Sequence, residues 1–373
     1  MTSVQTVTQP TVLVIDDEAG PRDALKVILR PFFKIRSAEN AQSALDVLRN
    51  EPIDIITLDQ RLPDRHGLDL LHEIKHEHPD VEVVIVTGYG SLKSAMESIR
   101  QGATGYLLKP FNVNELITLA QQTMDKKRRL DFLRRSLRSS RELWGLGEEN
   151  ARSWDTLKSE YLTLYLNARG NAVLPQEEMS LVPLLSDILE ATDRHLLNHS
   201  SRVSFYATLM AARLDLTIAQ QKSLAMGAFL HDIGKTSIPA YRFSEDQVLP
   251  SGEPIVCREH CERGARAATT LGLPKEVHDI IAYHHERWNG QGYPHGVSGP
   301  DIPVLARIVG IAQAFDHLTA DAPGRSCLST ETAIQQIALN SGTHFDPQLL
   351  EIFLDVVKDS AVSLPTMAVV PAA

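Results

Sequence analysis

The sequence predicts a multidomain protein: a doubly wound, five-stranded parallel α/β domain, a helical or coiled-coil connector, and an all-α domain. Three observations predict it. The 373 residues exceed one ordinary domain. From Thr11 onward, short apolar runs alternate with amphipathic helical patterns, the order of a βα repeat and hence of a parallel sheet covered on both faces. Beyond Leu181 the pattern is helical with short connections, and ten of the 14 histidines lie after residue 190. The boundaries expected are a disordered N-terminus over 1–10, the α/β domain over 11–122, the connector over 123–180, the helical domain over 181–360 and a tail over 361–373.

In the first domain, Val12–Ile15, Ile53–Leu58, Val81–Val86 and Thr104–Leu108 are compact apolar runs, read as strands. Between them Pro21–Leu29, Ala41–Leu48, Leu68–His76 and Lys93–Gln101 read as amphipathic helices. Chemistry in such sheets sits beyond the carboxyl ends of the strands. Asp16 and Asp17 end the first strand, Asp59 the third and Thr87 the fourth, and Lys109 follows the fifth. Three carboxylates at one edge repel each other unless a cation neutralises them. Mg²⁺ suits such oxygen ligands while keeping waters for a phosphoryl group. Asp59 is then the nucleophile, Lys109 an ion partner of the phosphoryl oxygens and Thr87 a hydroxyl donor to them.

The segments VIDDE, ITLDQRLPDRHG, VIVTGYG and YLLKPF, between about Thr11 and Gln122, resemble the response-regulator receiver family. The resemblance implies that Asp59 accepts phosphate from a cognate histidine kinase. It also implies Mg²⁺ on Asp16, Asp17, Asp59 and the backbone carbonyl of Arg61, and an aromatic switch at Tyr106 coupled to Thr87.

After Pro110 the spacing turns helical. Leu116, Leu119, Leu130, Leu133, Leu137 and Trp144 share one heptad frame, interrupted by Thr123, Lys126 and Ser140, which predicts an imperfect coiled coil and a homodimer through Leu116–Trp144. The basic run Lys126, Lys127, Arg128, Arg129, Arg134, Arg135, Arg138 and Arg141 reads as the solvated face of a paired helix rather than a DNA contact. Gly145 and Gly147 are expected to break the helix before a second stretch, Ala151–Leu166, and Arg169–Glu178 to form a loop.

In the last domain, His231 and Asp232 are adjacent, as are His284 and His285, each pair at the end of an apolar helical run. His199 and His260 lie within helical stretches. Imidazoles with few carboxylates suit Fe, Mn, Zn or Ni and not Ca²⁺. The ligand count exceeds one tetrahedral ion, so two metals are expected, with Lys235 as a point charge on a phosphate oxygen. Cys257 and Cys261 flank His260 and read as ordinary buried thiols. This pattern predicts a metal-assisted phosphohydrolase.

The segments HSSRV, FLHDIGK, HCERG, HHERWNGQGYPHG and IPVLARIVGIAQAFDHLTAD closely resemble the HD-GYP family, phosphohydrolases that cleave cyclic di-GMP. The resemblance implies His199, His231, Asp232, His260, His284 and His285 as metal ligands, with Fe or Mn the expected ions. It places Lys235, Asp316 and Arg325 at the substrate phosphate, and Gly290, Gly292, Tyr293 and Pro294 in the signature loop. Some positions depart from the family. Gln313 replaces a metal-binding Asp, a neutral donor for an anionic one, and Ala322 replaces an arginine. A Lys-Pro-Gly segment is missing from Tyr241–Pro254. His195 stands where three-metal members carry Glu and is a candidate extra ligand.

Composition sets limits. The formal net charge of −10 disfavours non-specific nucleic-acid binding. Three cysteines suit a reducing compartment rather than a disulfide framework. Neither a secretory leader nor an apolar run near the roughly 20 residues of a membrane span is evident. The expectation is a cytoplasmic response regulator in which phosphorylation controls cyclic di-GMP hydrolysis. The alternative is an impaired module that binds cyclic di-GMP or a partner protein.

Overall fold

The computed structural model describes residues 9–88, 92–139, 156–157, 159–161, 163–164, 182–238, 256–320 and 327–359. Trp144, Gly145, Gly147, the loop at 169–178, the segment 241–254, Ala322, Arg325 and the 361–373 tail lie outside them, as does most of 151–166. The described residues fall into two compact units that part within one helix, after Asp131.

The first unit runs β1 (Thr11–Ile15), α1 (Ala19–Leu29), β2 (Lys34–Ala38), α2 (Ala41–Asn50), β3 (Ile55–Leu58), α3 (Gly67–Glu77), β4 (Glu82–Thr87), α4 (Leu92–Arg100), β5 (Gly105–Leu108) and then α5 (Val113–Ser139). All pairings are parallel, in the order β2-β1-β3-β4-β5. β1, β3 and β4 are buried along their whole length, which is why they read as unbroken apolar runs. β2 is different. An edge strand with only Ala38 buried, it has no apolar run, and this is the strand that the four apolar runs did not locate. Val12, Val14, Leu107 and Leu116 pack into one layer beside the sheet, and Leu13, Ile56, Ile85 and Leu71 into another.

α5 is continuous from Val113 to Ser139 and leaves the expected boundary at 122 in mid-helix. Leu116 is part of the first unit's core, and Leu130 and Leu133 are buried within the chain. Leucines already covered in one chain cannot also floor a seam between two, so these three are withdrawn from the expected dimer contact. The basic run is likewise partly committed: Lys127 is buried, its ammonium 2.9 Å from the Asp80 carbonyl and 3.1 Å from Asp131. It is not part of a solvated face.

The second unit runs α6 (Val182–Thr192), α7 (Arg194–Ala211), α8 (Ile218–Leu230), α9 (Val256–Thr270), α10 (Lys275–Tyr283), α11 (Val304–Thr319), α12 (Thr330–Ala338) and α13 (Pro347–Asp359), and residues of α7, α8, α10, α11, α12 and α13 build one apolar core. Thr217 starts α8 with a capping box closed by Gln220. Phe315 of α11 meets Tyr206 of α7 and Phe353 of α13 edge-on, at 5.1 and 5.3 Å. Truncating so large a buried ring costs about 3–5 kcal/mol. This core clamps α7 and α11 together, and with them the histidines and amide they carry.

Candidate functional site

In the first unit, parallel register delivers the site. Asp16 follows β1, Asp59 follows β3, and these neighbours place two buried carboxylates side by side at the sheet's carboxyl edge. Asp17 is exposed next to them, and one oxygen from each of the three lies within 4.8 Å of the others. The Lys109 ammonium sits 2.7 Å from Asp16 and 2.5 Å from Asp59. The Arg61 backbone N–H donates to Asp59 at 3.2 Å. Burial pushes the Asp16 carboxyl above its ordinary pKa, and the Asp59 charge adds to this, although Lys109 opposes both. The two carboxylates hold Lys109 firmly charged, against the effect of burial. One ammonium does not balance this acidic edge, so the oxygen-rich set fits a hard divalent cation. Thr87 is buried at the end of β4, and its carbonyl accepts from the Lys109 N–H at 2.8 Å. The Tyr106 hydroxyl lies 3.1 Å from that of Ser94.

In the second unit, His199 projects from α7. His231 caps α8 with Asp232 next to it, His260 lies on α9, and His284 caps α10 with His285 following. The turn after Asp232 packs closely on α9: a Cβ at Gly234 would collide with the His260 carbonyl. A glycine there lets Asp232 approach His260.

Asp232 is the centre of the arrangement. Its Oδ2 lies 3.6 Å from His199 Nε2 and 3.4 Å from His231 Nε2. Its Oδ1 lies 3.2 Å from His260 Nε2 and 3.8 Å from His284 Nε2. One carboxylate thus faces two separate groups of imidazoles. The ring tautomers follow from the second contacts. His231 and His284 place Nδ1 at 2.7 and 2.9 Å from the carbonyls of Ala228 and Ile281. A carbonyl only accepts, so Nδ1 carries the hydrogen and Nε2 of the neutral ring is a bare lone pair. His199 Nδ1 similarly donates to Asp316 at 2.7 Å. The bare Nε2 atoms of His199 and His231 therefore face each other at 3.2 Å, with a carboxylate oxygen beside them.

The electrostatics agree. Burial drives the pKa of His284 and His285 well below the ordinary value, and that of His260 down to about 3. Burial alone would raise Asp232, but the Lys235 ammonium 2.5 Å away and the neighbouring His231 hold it well below the carboxylate range. Asp232 Oδ1 and Gln313 Oε1 are buried with no hydrogen-bond partner. Such orphaned acceptors are costly in a protein interior unless a cation takes their lone pairs. Imidazole nitrogens around a shared carboxylate fit two transition-metal ions.

Other sequence-predicted residues are placed as follows. Gln313 is buried with its amide nitrogen 3.5 Å from His285 Nε2. Asp316 accepts from His199 Nδ1 on Oδ2 and takes a two-point contact from Arg202, at 2.6 and 3.0 Å, so both its oxygens are engaged, one of them with His199. Those bonds lower its pKa against the effect of burial. His195 is exposed on the first turn of α7 and is not among the clustered donors. Tyr293 stacks on His285 at 4.7 Å, and Glu286 accepts from the N–H groups of His295 and Gly296, closing the loop that carries Gly290, Gly292 and Pro294. Three contributors did not emerge from the sequence. Arg202 lies one turn from His199 and anchors Asp316. His317, exposed and stacked flat on His199 at 4.9 Å, neighbours Asp316 in sequence. Cys261, read as an ordinary thiol, groups with His260, His284 and His285.

A phosphoacceptor-type acidic edge on a doubly wound sheet, joined to a histidine-lined helical domain, defines the class, and comparison with known proteins specifies it. Residues 12–121 match the family model of the response regulator receiver domain, and residues 183–349 that of the HD domain. The chain thus carries a response regulator receiver domain followed by an HD domain. It is 28% identical over 372 residues to a probable cyclic di-GMP phosphodiesterase of Vibrio cholerae, covering 94% of this chain and 79% of that protein. Against a cyclic di-GMP phosphodiesterase of Thermotoga maritima it is 27% identical, covering 94% of this chain and 91% of that one. Against the cyclic di-GMP phosphodiesterase response regulator RpfG of Xanthomonas campestris it is 26% identical, over 92% and 86% of the two chains. No helix among the described residues is long and apolar enough to cross a membrane.

Proposed function

We propose that this protein is a response regulator that accepts phosphate on Asp59 from a histidine kinase and hydrolyses a phosphodiester bond of cyclic di-GMP in its HD domain. One observation carries the hydrolase half: the Asp232 carboxylate lies between two groups of imidazole nitrogens, with one oxygen toward each. His199, His231 and Asp232 would hold one ion, and Asp232, His260, His284 and His285 the other. When bound, two divalent ions supply charge for the phosphoryl oxygens and lower the pKa of the attacking water. The chain's own groups do the rest. Lys235, a quarter exposed beside Asp232, presents an ammonium to the substrate phosphate. Asp316 and Arg202 hold His199 in the tautomer that leaves Nε2 available. Tyr293 braces His285 from its face. The three cyclic di-GMP phosphodiesterases compared above support the substrate.

In the receiver, an Asp59 oxygen would attack the phosphorus of the kinase's phosphohistidine as the P–N bond breaks and the histidine leaves, with Lys109 offsetting charge on the phosphoryl oxygens. Asp16, Asp17, Asp59 and the Arg61 carbonyl would hold a Mg²⁺, which would supply further positive charge there. The test is turnover of cyclic di-GMP by full-length protein loaded with Mn²⁺ or Fe²⁺, with and without a small-molecule phosphodonor. Appearance of linear pGpG or GMP, at a rate that changes with phosphodonor and not in Asp59→Asn, supports the proposal. Intact cyclic di-GMP after hours overturns the hydrolase half.

Gln313 favours a second reading, a module that binds cyclic di-GMP without efficient turnover. A neutral amide at a buried metal site leaves more uncompensated positive charge than a carboxylate. Under this reading Gln313→Asp raises turnover at least several-fold; an unchanged rate beside robust wild-type activity rules it out.

A further inference from the structure

Among the described residues Asp232 is the one carboxylate within the two imidazole groups, and it is shared between them. With Gln313 neutral, an ion beside His260, His284 and His285 would have half a carboxylate and three neutral rings to offset its charge. In a water-poor interior that is an unfavourable balance. The chain has another anionic donor in place. Cys261 is fully buried, in no disulfide, and its Sγ lies 3.5 Å from His260 Nε2. The ligand atoms of His260, Cys261, His284 and His285 all lie within 4.8 Å of one another. One further atom points to a cation at that spot: Asp232 Oδ1, 3.2 Å from His260 Nε2 and 3.8 Å from His284 Nε2, is buried without a hydrogen-bond partner.

We propose that Cys261 is a thiolate ligand of the second metal ion, completing a set of three imidazoles and one sulfur beside the shared Asp232. The inference rests on the two-metal reading above and deepens it. On metal binding the S–H bond breaks, its proton passes to solvent and the sulfur's electron pair goes to the metal. The thiolate supplies the negative charge that Gln313 does not. It also shifts the preference of this half of the centre toward softer ions, Zn²⁺, Co²⁺ or Fe²⁺, and away from Mn²⁺ and Mg²⁺.

The experiment uses metal-free full-length protein titrated with Co²⁺, followed by near-ultraviolet absorbance and bound-metal analysis. A thiolate-to-cobalt charge-transfer band is expected as the second ion enters. It should be lost in Cys261→Ser and Cys261→Ala and kept in Cys257→Ser and Cys327→Ser. Two bound Co²⁺ ions without the band, or a band that survives in Cys261→Ser, overturn the assignment and leave the hydrolase reading standing. A wild-type protein that binds no Co²⁺ overturns both. Should the Cys261 variants fail to fold, X-ray absorption of the Zn²⁺-loaded wild type decides. A sulfur neighbour at about 2.3 Å supports the proposal, and a shell of nitrogen and oxygen alone overturns it.

Discussion

The receiver edge and the histidine centre both gather ligands around a carboxylate, yet they solve opposite problems. At the receiver edge the donors are oxygens, one of them exposed on Asp17, and a lysine reaches in to share Asp16 and Asp59. Such an oxygen-rich set suits a hard ion. In the helical domain the donors are imidazoles on or at the ends of α7–α10, mostly shut from solvent, with tautomers set by backbone carbonyls and by Asp316. Burial keeps His199, His260, His284 and His285 neutral and therefore ready to bind. The difference teaches that desolvation works in opposite senses on the two ligand types. It raises the cost of charging Asp16, which weakens a carboxylate as a ligand, and it suppresses protonation of histidine, which strengthens an imidazole.

The sharpest way to break this contrast is Asp232→Ala. Because both imidazole groups lean on that carboxylate, the substitution is expected to lose both transition-metal ions and all hydrolysis, while Asp59 still takes up phosphate. Metal analysis and phosphorylation of the same sample check this; retention of one tightly held ion would show that the two groups are independent.

Asp316→Asn comes next. The amide no longer accepts from both His199 and Arg202 with full charge, so metal affinity should fall about 10–100-fold, with Mg²⁺ affinity of the receiver unchanged. Competition against a chromophoric chelator measures the loss.

Acid separates the two regions further. Histidines of the unfolded chain take up protons below about pH 6.5, whereas folded His260 stays neutral until about 3 and its buried neighbours are shifted the same way. The unfolded state then binds more protons, so stability of the metal-free helical domain falls as pH drops through that window. The expected slope is about 1.4 kcal/mol per pH unit for each such histidine. Denaturant midpoints between pH 7 and 5, with and without metal, test it, and a flat profile for metal-free protein would contradict the burial of these rings.

The smallest effect expected is at Asn40, whose side chain accepts from the Ser43 N–H at 2.8 Å and caps α2. Asn40→Ala should cost the receiver about 1 kcal/mol and leave the helical domain's midpoint unchanged.

How legible each region was follows from the same physics. Receiver residues stand at strand ends, and in a parallel sheet buried on both faces the apolar runs mark those ends directly, so Asp16, Asp59, Thr87 and Lys109 could be placed by register. β2 escaped because an edge strand half open to solvent needs no apolar run. In the helical domain the adjacent pairs His231/Asp232 and His284/His285 announced a centre. Which carboxylate is shared depends on how α8, α9 and α10 cross. His195 and His199 sit one turn apart on α7, yet one is exposed and the other buried. Cys261 reads as filler in the sequence, because its nearness to His284 and His285 depends on how α9 and α10 meet.

By itself the sequence determined the two-part architecture, the parallel sheet and most of the side chains that converge, because periodicity and strand-end chemistry are local properties of the chain. Only the tertiary structure decided that Asp232 faces both imidazole groups, that Asp316 serves His199, that Leu116 belongs to the receiver core and that the Cys261 sulfur lies near the ring nitrogens of His284 and His285. Those are distances between helices far apart in sequence, and they depend on how side chains from many elements fill one interior.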